Sequence, residues 1–307
     1  MKNMTSAPDR VVLGIVLMIG FTVTAPMMDS FAKLASATLP VGQIVGIRFS
    51  IQVLLLMPLA AALGVLQAPP ARDALVHLAR AALILLATLA FFTALSVMPI
   101  ADAIAIFFVE PFILTLLGAL FLGEQIGWRR ILACAIGFAG ALLVIRPSFS
   151  MFGPVAMLPL FTALCFALYM VLTRGMARRL HPVALQGWTA LAASCLILPF
   201  LMLFDGTGVA PLDPVMPTGR FWIFLAGVGL LATVSHLFIS YALRFAPAAT
   251  IAPLQYLEII AATVLGFAIF DDLPDAQTLL GIAIIMGSGL FVFLRERRMN
   301  RPPPPAP

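Results

Sequence analysis

A few carboxylates and basic groups set inside long apolar runs are the residues of this chain with chemistry to offer. Glu110 stands immediately before Pro111, and Glu258 stands five residues after Pro253, each within an apolar segment. An ionisable group at the centre of a membrane helix costs at least about 2.5–3.5 kcal/mol on insertion scales, so it is retained facing a cavity or a partner. A carboxyl kept from water holds its proton more readily. It can therefore trade a proton with a solute or with bulk water. Glu110 and Glu258 are the leading candidates for a substrate or proton path, against the competing role of a hydrogen-bonded or ion-paired structural carboxylate.

Asp29 and Lys33 are four residues apart, a spacing that puts both on one helix face, where they can neutralise each other. Lys33 is then expected to snorkel toward the outer end. Arg48 is a partner for Asp29 or Glu110, or a contact for an anionic group on a substrate. His236 is a lone histidine, either a packing residue or a proton relay. Gln255 and Tyr256, beside Pro253, offer polar atoms and a ring suited to an aromatic or amphipathic metabolite.

These groups need elements that hold them inside a bilayer. The chain has 307 residues, 62% of them hydrophobic and only 10% charged. A soluble domain carries about 25% charged residues, so this one must use lipid as much of its solvent. The net charge of +5 does not point to nucleic acid, because the basic residues sit in short clusters between apolar runs rather than on one stripe. The three cysteines are widely spaced in apolar runs and suggest no metal motif. No metal and no cofactor are expected.

A crossing takes about 20 apolar residues. Ten such segments are predicted, over 11–34, 41–64, 75–98, 101–121, 128–145, 152–173, 183–204, 219–243, 248–270 and 276–294. The splits at Pro99-Ile100 and Ala246-Pro247 could each be a kink in one run instead. With ten helices, fourteen Lys and Arg fall on the side of the N-terminus and three (Lys33, Arg146, Arg220) on the other. Arg80 is counted among the fourteen. The positive-inside rule then puts both termini in the cytoplasm. The first helix stays as an anchor rather than a cleaved signal, and the Pro-rich end after Arg301 cannot be helical.

The two halves resemble each other. Leu86-Ala87-Thr88-Leu89 is echoed by Leu231-Ala232-Thr233-Val234, and Glu110, Gly118 and Glu124 stand opposite Glu258, Gly266 and Asp272. An odd number of helices per half makes the repeat inverted, which places a substrate site between the halves. The expected organisation is a cytoplasmic segment over 1–10, a first repeat over 11–147, a second over 148–295 and a disordered cytoplasmic tail over 296–307. The fold class is all-α integral membrane, ten transmembrane helices in two inverted five-helix repeats. Glycines 137, 140, 281, 287 and 289 suit close helix contact within one subunit, or alternatively a homodimer through the tenth helix.

Several segments resemble the drug/metabolite transporter superfamily, in its two-repeat EamA-type branch. They are Met28-Asp29-Ser30-Phe31-Ala32-Lys33-Leu34, Pro40-Val41-Gly42-Gln43-Ile44 with Arg48-Phe49, and Met98-Pro99-Ile100-Ala101-Asp102-Ala103. Glu110-Pro111-Phe112, Leu122-Gly123-Glu124, Gly137-Phe138-Ala139-Gly140, Arg146-Pro147 and Ala252-Pro253-Leu254-Gln255-Tyr256 complete the set. The resemblance implies cytoplasmic termini, a bacterial inner-membrane location and transport of a small molecule without ATP hydrolysis. It departs at Asp271-Asp272, where Gly-Glu is common, and at Glu258, a position more usually neutral.

No Walker loop, His-Glu-x-x-His or Gly-x-Ser-x-Gly pattern is present. The sequence therefore predicts a secondary transporter rather than an enzyme, with export and proton coupling favoured. An importer or facilitator of the vitamin or S-adenosylmethionine type, or a channel or scaffold component, is the alternative.

Overall fold

The computed structural model describes residues 11–122, 128–177, 180–246 and 252–299. Glu124, Arg178, Arg179, Pro247 and both termini lie outside the described residues. Among the described residues eleven α-helices follow one another: α1 (Val11–Ser36), α2 (Val41–Ala62), α3 (Ala71–Leu95), α4 (Ile100–Phe107), α5 (Glu110–Leu122), α6 (Trp128–Phe152), α7 (Leu158–Ala177), α8 (Pro182–Leu203), α9 (Phe221–Phe245), α10 (Leu257–Phe270) and α11 (Ala276–Met299). Short 3-10 turns at Gly153–Met157 and Ala252–Tyr256 precede α7 and α10. No strand occurs among the described residues.

Proline sets several starts. Pro40, Pro70 and Pro99 sit in extended backbone immediately before α2, α3 and α4, where a fixed φ and a missing N–H cost the helix nothing. At the other end of α10, Asp271 adopts φ 58° and the Asp272 amide donates to the Gly266 carbonyl at 3.1 Å. That closure satisfies a terminal carbonyl as a left-handed C-terminal cap does.

By length and apolar composition, five helical stretches of 22–26 residues and a 43-residue run over Ile131–Thr173 can cross a bilayer. The long run has the length for two crossings at about 20 residues each, and the 3-10 turn at Gly153–Met157 divides it. Leu254–Phe270 and Ala276–Phe291 are shorter apolar helices.

The expected 101–121 segment is not one helix. It breaks after Phe107, and α5 begins at Glu110. Pro111 falls in the first turn of α5, where its missing N–H needs no partner, so it starts a helix instead of kinking one. The described part of the 248–270 segment is likewise a 3-10 turn followed by α10. The expected 128–145 segment extends further, since α6 runs through Pro147 to Phe152. Helix α3 starts at Ala71 rather than near 75. Arg80, inside the expected 75–98 segment and counted with the charges on the N-terminal side, is fully buried, roughly 13 Å along the helix at 1.5 Å per residue.

The main packing pairs come in matched sets. α1 packs on α9 as α7 packs on α3; α2 packs on α9 as α8 packs on α3; α10 packs on α1 as α5 packs on α7. The pairs α2 with α8 and α6 with α11 are their own counterparts. Exchanging the first set of helices for the second thus returns the same pairings. The α6–α11 seam is closed by glycine: a Cβ on Gly281 would stand 2.7 Å from the Gly140 carbonyl oxygen, and one on Gly140 3.0 Å from that of Gly281. Gly287 has nothing within 4 Å.

Candidate functional site

Several of the polar groups that the apolar helices carry inward meet in one cavity, with about 1220 Å³ of empty space including its open mouth. Elements from both sets enclose it: α1, α2, α3 and the α4–α5 break on one side, α7, α8, α9 and the start of α10 on the other. Of the sequence-predicted residues, Asp29, Arg48, Glu110, His236, Gln255 and Glu258 line it. Lys33 and Tyr256 do not.

Glu110 and Glu258 hold corresponding places. Each stands in the first turn of a helix, Glu110 in α5 after the break at Phe108–Val109 and Glu258 in α10 after the 3-10 turn. Both are buried, at 8% and 7% exposure. A helix N-terminus presents unsatisfied N–H groups and a partial positive charge, which favours a carboxylate there. Irregular backbone inside a membrane protein is tolerated where it lines such a cavity.

Asp29 (α1) and Arg48 (α2) are buried in the same wall, and each feels the other's charge without reaching salt-bridge distance. The Arg48 guanidinium donates to Thr88 Oγ1 and to His236 Nε2, both at 3.4 Å. His236 Nδ1 lies 2.9 Å from the Ala232 carbonyl, which can only accept, so Nδ1 carries the proton and Nε2 accepts from Arg48. His236 is held as a neutral imidazole between two fixed partners, which is a positioning role rather than a free relay.

Lys33 does not turn to Asp29. Its ammonium binds Asp272 Oδ2 and the Met98 carbonyl, each at 3.0 Å, and lies 4.8 Å from the centre of the Phe270 ring. The four-residue spacing is overridden because Asp272, presented by the left-handed Asp271, offers a partner at the helix end, where Lys33 stays hydrated. Tyr256 is a packing residue: its ring lies 5.3 Å from Phe108, and its hydroxyl end fills the space a side chain at Gly289 would need.

The structure brings to the site residues that sequence reasoning had not assigned to it. Thr162, Phe166, Tyr169 and Thr173 recur along one face of α7 and line the cavity. Behind them, buried Arg80 donates from Nε to Thr173 Oγ1 at 3.0 Å and from a terminal nitrogen to the Tyr169 hydroxyl at 3.3 Å. Gln186 and Ser240 meet at 3.4 Å across α8 and α9. The helical spacing 162, 166, 169, 173 was a readable signal, since polar and aromatic side chains at i, i+4, i+7 and i+11 share one face.

The EamA-like transporter family model matches the chain twice, over residues 12–146 and 153–294. A riboflavin transporter of Rhizobium johnstonii is 30% identical over 227 residues, covering 74% of this chain and 72% of its own. A pseudopaline exporter of Pseudomonas aeruginosa is 28% identical over 280 residues, 91% of this chain and 95% of its own. An S-adenosylmethionine uptake transporter of Rickettsia conorii is 24% identical over 280 residues, 91% of this chain and 92% of its own. A solved crystal structure of a protein shares the fold, with TM-score 0.66 and 20% identity, covering 94% of this chain and 99% of that one.

Proposed function

The chain belongs to the EamA-like transporter family of the drug/metabolite transporter superfamily, and we propose that it is a secondary active carrier exporting a small metabolite or drug-like solute across the bacterial inner membrane. Its apolar helices and its relatives make it a multi-pass membrane transporter. In our reading the chain crosses ten times in two inverted five-helix repeats. α4 and α5 count together as the fourth crossing, α6 and α7 are the fifth and sixth, the 3-10 turn with α10 is the ninth, and both termini are cytoplasmic. The matched packing pairs support that assignment. The repeats then rock against one another around the cavity, exposing it to each side in turn.

The observation that carries this reading is the placement of Glu110 and Glu258. Two carboxyls stand at corresponding helix starts, one from each half, facing one shared cavity. In this proposal they take a proton when the cavity opens outward and release it to the cytoplasm, which couples outward solute movement to the inward proton gradient. Uptake is the second reading, favoured by the S-adenosylmethionine uptake relatives.

The test is purified protein in proteoliposomes screened against a metabolite panel, with the pH gradient set in each direction. Saturable flux that unlabelled solute competes away, driven opposite to the proton gradient, is expected. Saturable flux along the proton gradient replaces export with uptake. Flux that never saturates indicates a channel and removes the carrier reading.

A further inference from the structure

We propose that the α2–α8 seam is the fixed pivot of the carrier: the two helices stay joined at both membrane faces while the cavity is exposed to each side in turn. The inference rests on the carrier reading and names the contact between the halves that does not open. At one face the 204–220 connection between α8 and α9 is fastened to the start of α2. Gln43, 7% exposed, donates from Nε2 to the Val215 carbonyl at 2.7 Å and accepts from the Val215 amide at 3.1 Å. The Gly42 amide donates to the Pro211 carbonyl at 3.0 Å, and a Cβ on Gly42 would stand 2.7 Å from that oxygen. The connection is itself braced. Asp213 accepts from the Gly206 and Gly208 amides at 2.7 and 2.8 Å, and both glycines hold a positive φ, 73° and 76°, that a side chain would resist.

At the other face the fastening recurs with the helices exchanged. The 63–70 connection between α2 and α3 lies against the start of α8. There Trp188 Nε1 donates to the Gln67 carbonyl at 2.9 Å, and Val65 packs on a cluster of Leu56 and Ala60 from α2 with Val183 and Ala184 from α8. Each helix is thus tied by the connection that follows the other. Between the ties, Gly46 faces Leu201, and Gly187 faces Leu56 and Met57, a close fit that resists sliding. Parting the helices at the first face would strip the buried Gln43 amide of both its partners, which is the costly way to lose a hydrogen bond. The end of α1 is held differently, by the partly hydrated Lys33–Asp272 pair, a contact that water and salt can replace. The moving contacts are therefore placed on the α1 side of the cavity and the still one at α2–α8.

The experiment uses the full chain with Cys134→Ala, Cys165→Ala and Cys195→Ala, and with Thr162→Cys in the cavity wall as a reporter. A membrane-impermeant maleimide is applied to right-side-out and to inside-out vesicles. Leu56→Cys and Gly187→Cys are then added across the seam. A Cβ on Gly187 stands 3.6 Å from that of Leu56, and a disulfide spans about 3.5–4.5 Å between Cβ atoms. With the disulfide closed, the reporter should be labelled from both sides at the same rates as after reduction. Loss of labelling from either side on closure, restored by reductant, overturns the pivot and leaves the carrier reading standing. Labelling from one side only, with the seam closed or reduced, removes alternating access and the pivot with it. A pair that does not close on oxidation overturns the pivot as well. Hydrogen exchange on the unaltered chain needs no variant to fold. Gly42 lies in the first turn of α2, where an amide has no acceptor within its own helix, so its protection reports the tie to Pro211. The Gly42 and Val215 amides should be protected as amides inside α2 are, and exchange at the rate of an open loop would overturn the pivot.

Discussion

Breaking the Lys33–Asp272 pair should leave the fold nearly intact while shifting the balance between conformations. The two side chains are 16% and 32% exposed and meet at 3.0 Å. Pairs this accessible contribute roughly 0.2–1 kcal/mol. That is small beside a domain's stability of about 5–15 kcal/mol. It is nevertheless a factor of roughly 1.4 to 5 in an equilibrium constant. The pair joins α1, in the family match over 12–146, to the α10–α11 turn, in the match over 153–294, so any rocking of one half against the other must stretch it. A double-mutant cycle on thermal unfolding in detergent, with Lys33→Met, Asp272→Asn and the double variant, measures the coupling directly. The expected coupling is about 0.2–1 kcal/mol, falling as salt screens the pair. Flux should change by no more than about fivefold on the same reasoning. A coupling above about 2 kcal/mol, or one indifferent to salt, would refute the picture of a partly hydrated pair.

Other consequences are equally concrete. Gly281→Val should destabilise the α6–α11 seam by about 1–3 kcal/mol, because backbone on both sides must move; Gly287→Ala, facing open space, is the control, and equal melting temperatures would contradict the packing. Arg80→Leu leaves the Tyr169 and Thr173 hydroxyls without their donor and should cost about 1–3 kcal/mol, read as a lower melting temperature; an unchanged value would mean that these bonds contribute nothing. Asp275 caps α11, accepting from the Thr278 amide at 2.6 Å, and that bond holds its carboxyl below the usual carboxylate range. A depressed value stabilises the fold above the unfolded pKa near ~3.9, and that contribution disappears as pH falls through the lower folded one. Amide protection at the start of α11, taken relative to the intrinsic exchange rate at each pH, should therefore fall only under strong acid, whereas a loss of protection near neutrality would contradict the cap.

Much of the framework was legible because apolar length is decisive in lipid. The starts at Val41 and Ile100 were readable from the prolines before them, and Glu110 and Glu258 stood out as charges without water. What periodicity could not supply was the break at Phe108–Val109. No glycine marks it, and Pro111 reads equally as a kink or a start until the backbone before it is known. The burial of Arg80 was not legible, because an arginine near a segment end reads as a charge that reaches water; only Tyr169 and Thr173, some ninety residues away, explain it. Lys33 chose a partner 239 residues distant over one a single turn away, a preference that tertiary placement alone decides.

The most direct test of the central proposal is a comparison of two fluxes in the same proteoliposomes: exchange of labelled for unlabelled solute at equal pH, and accumulation driven by a pH gradient. Glu258→Gln, and separately Glu110→Gln, should keep saturable exchange but lose gradient-driven accumulation. Accumulation that survives undiminished in both variants would contradict a proton path through these carboxyls.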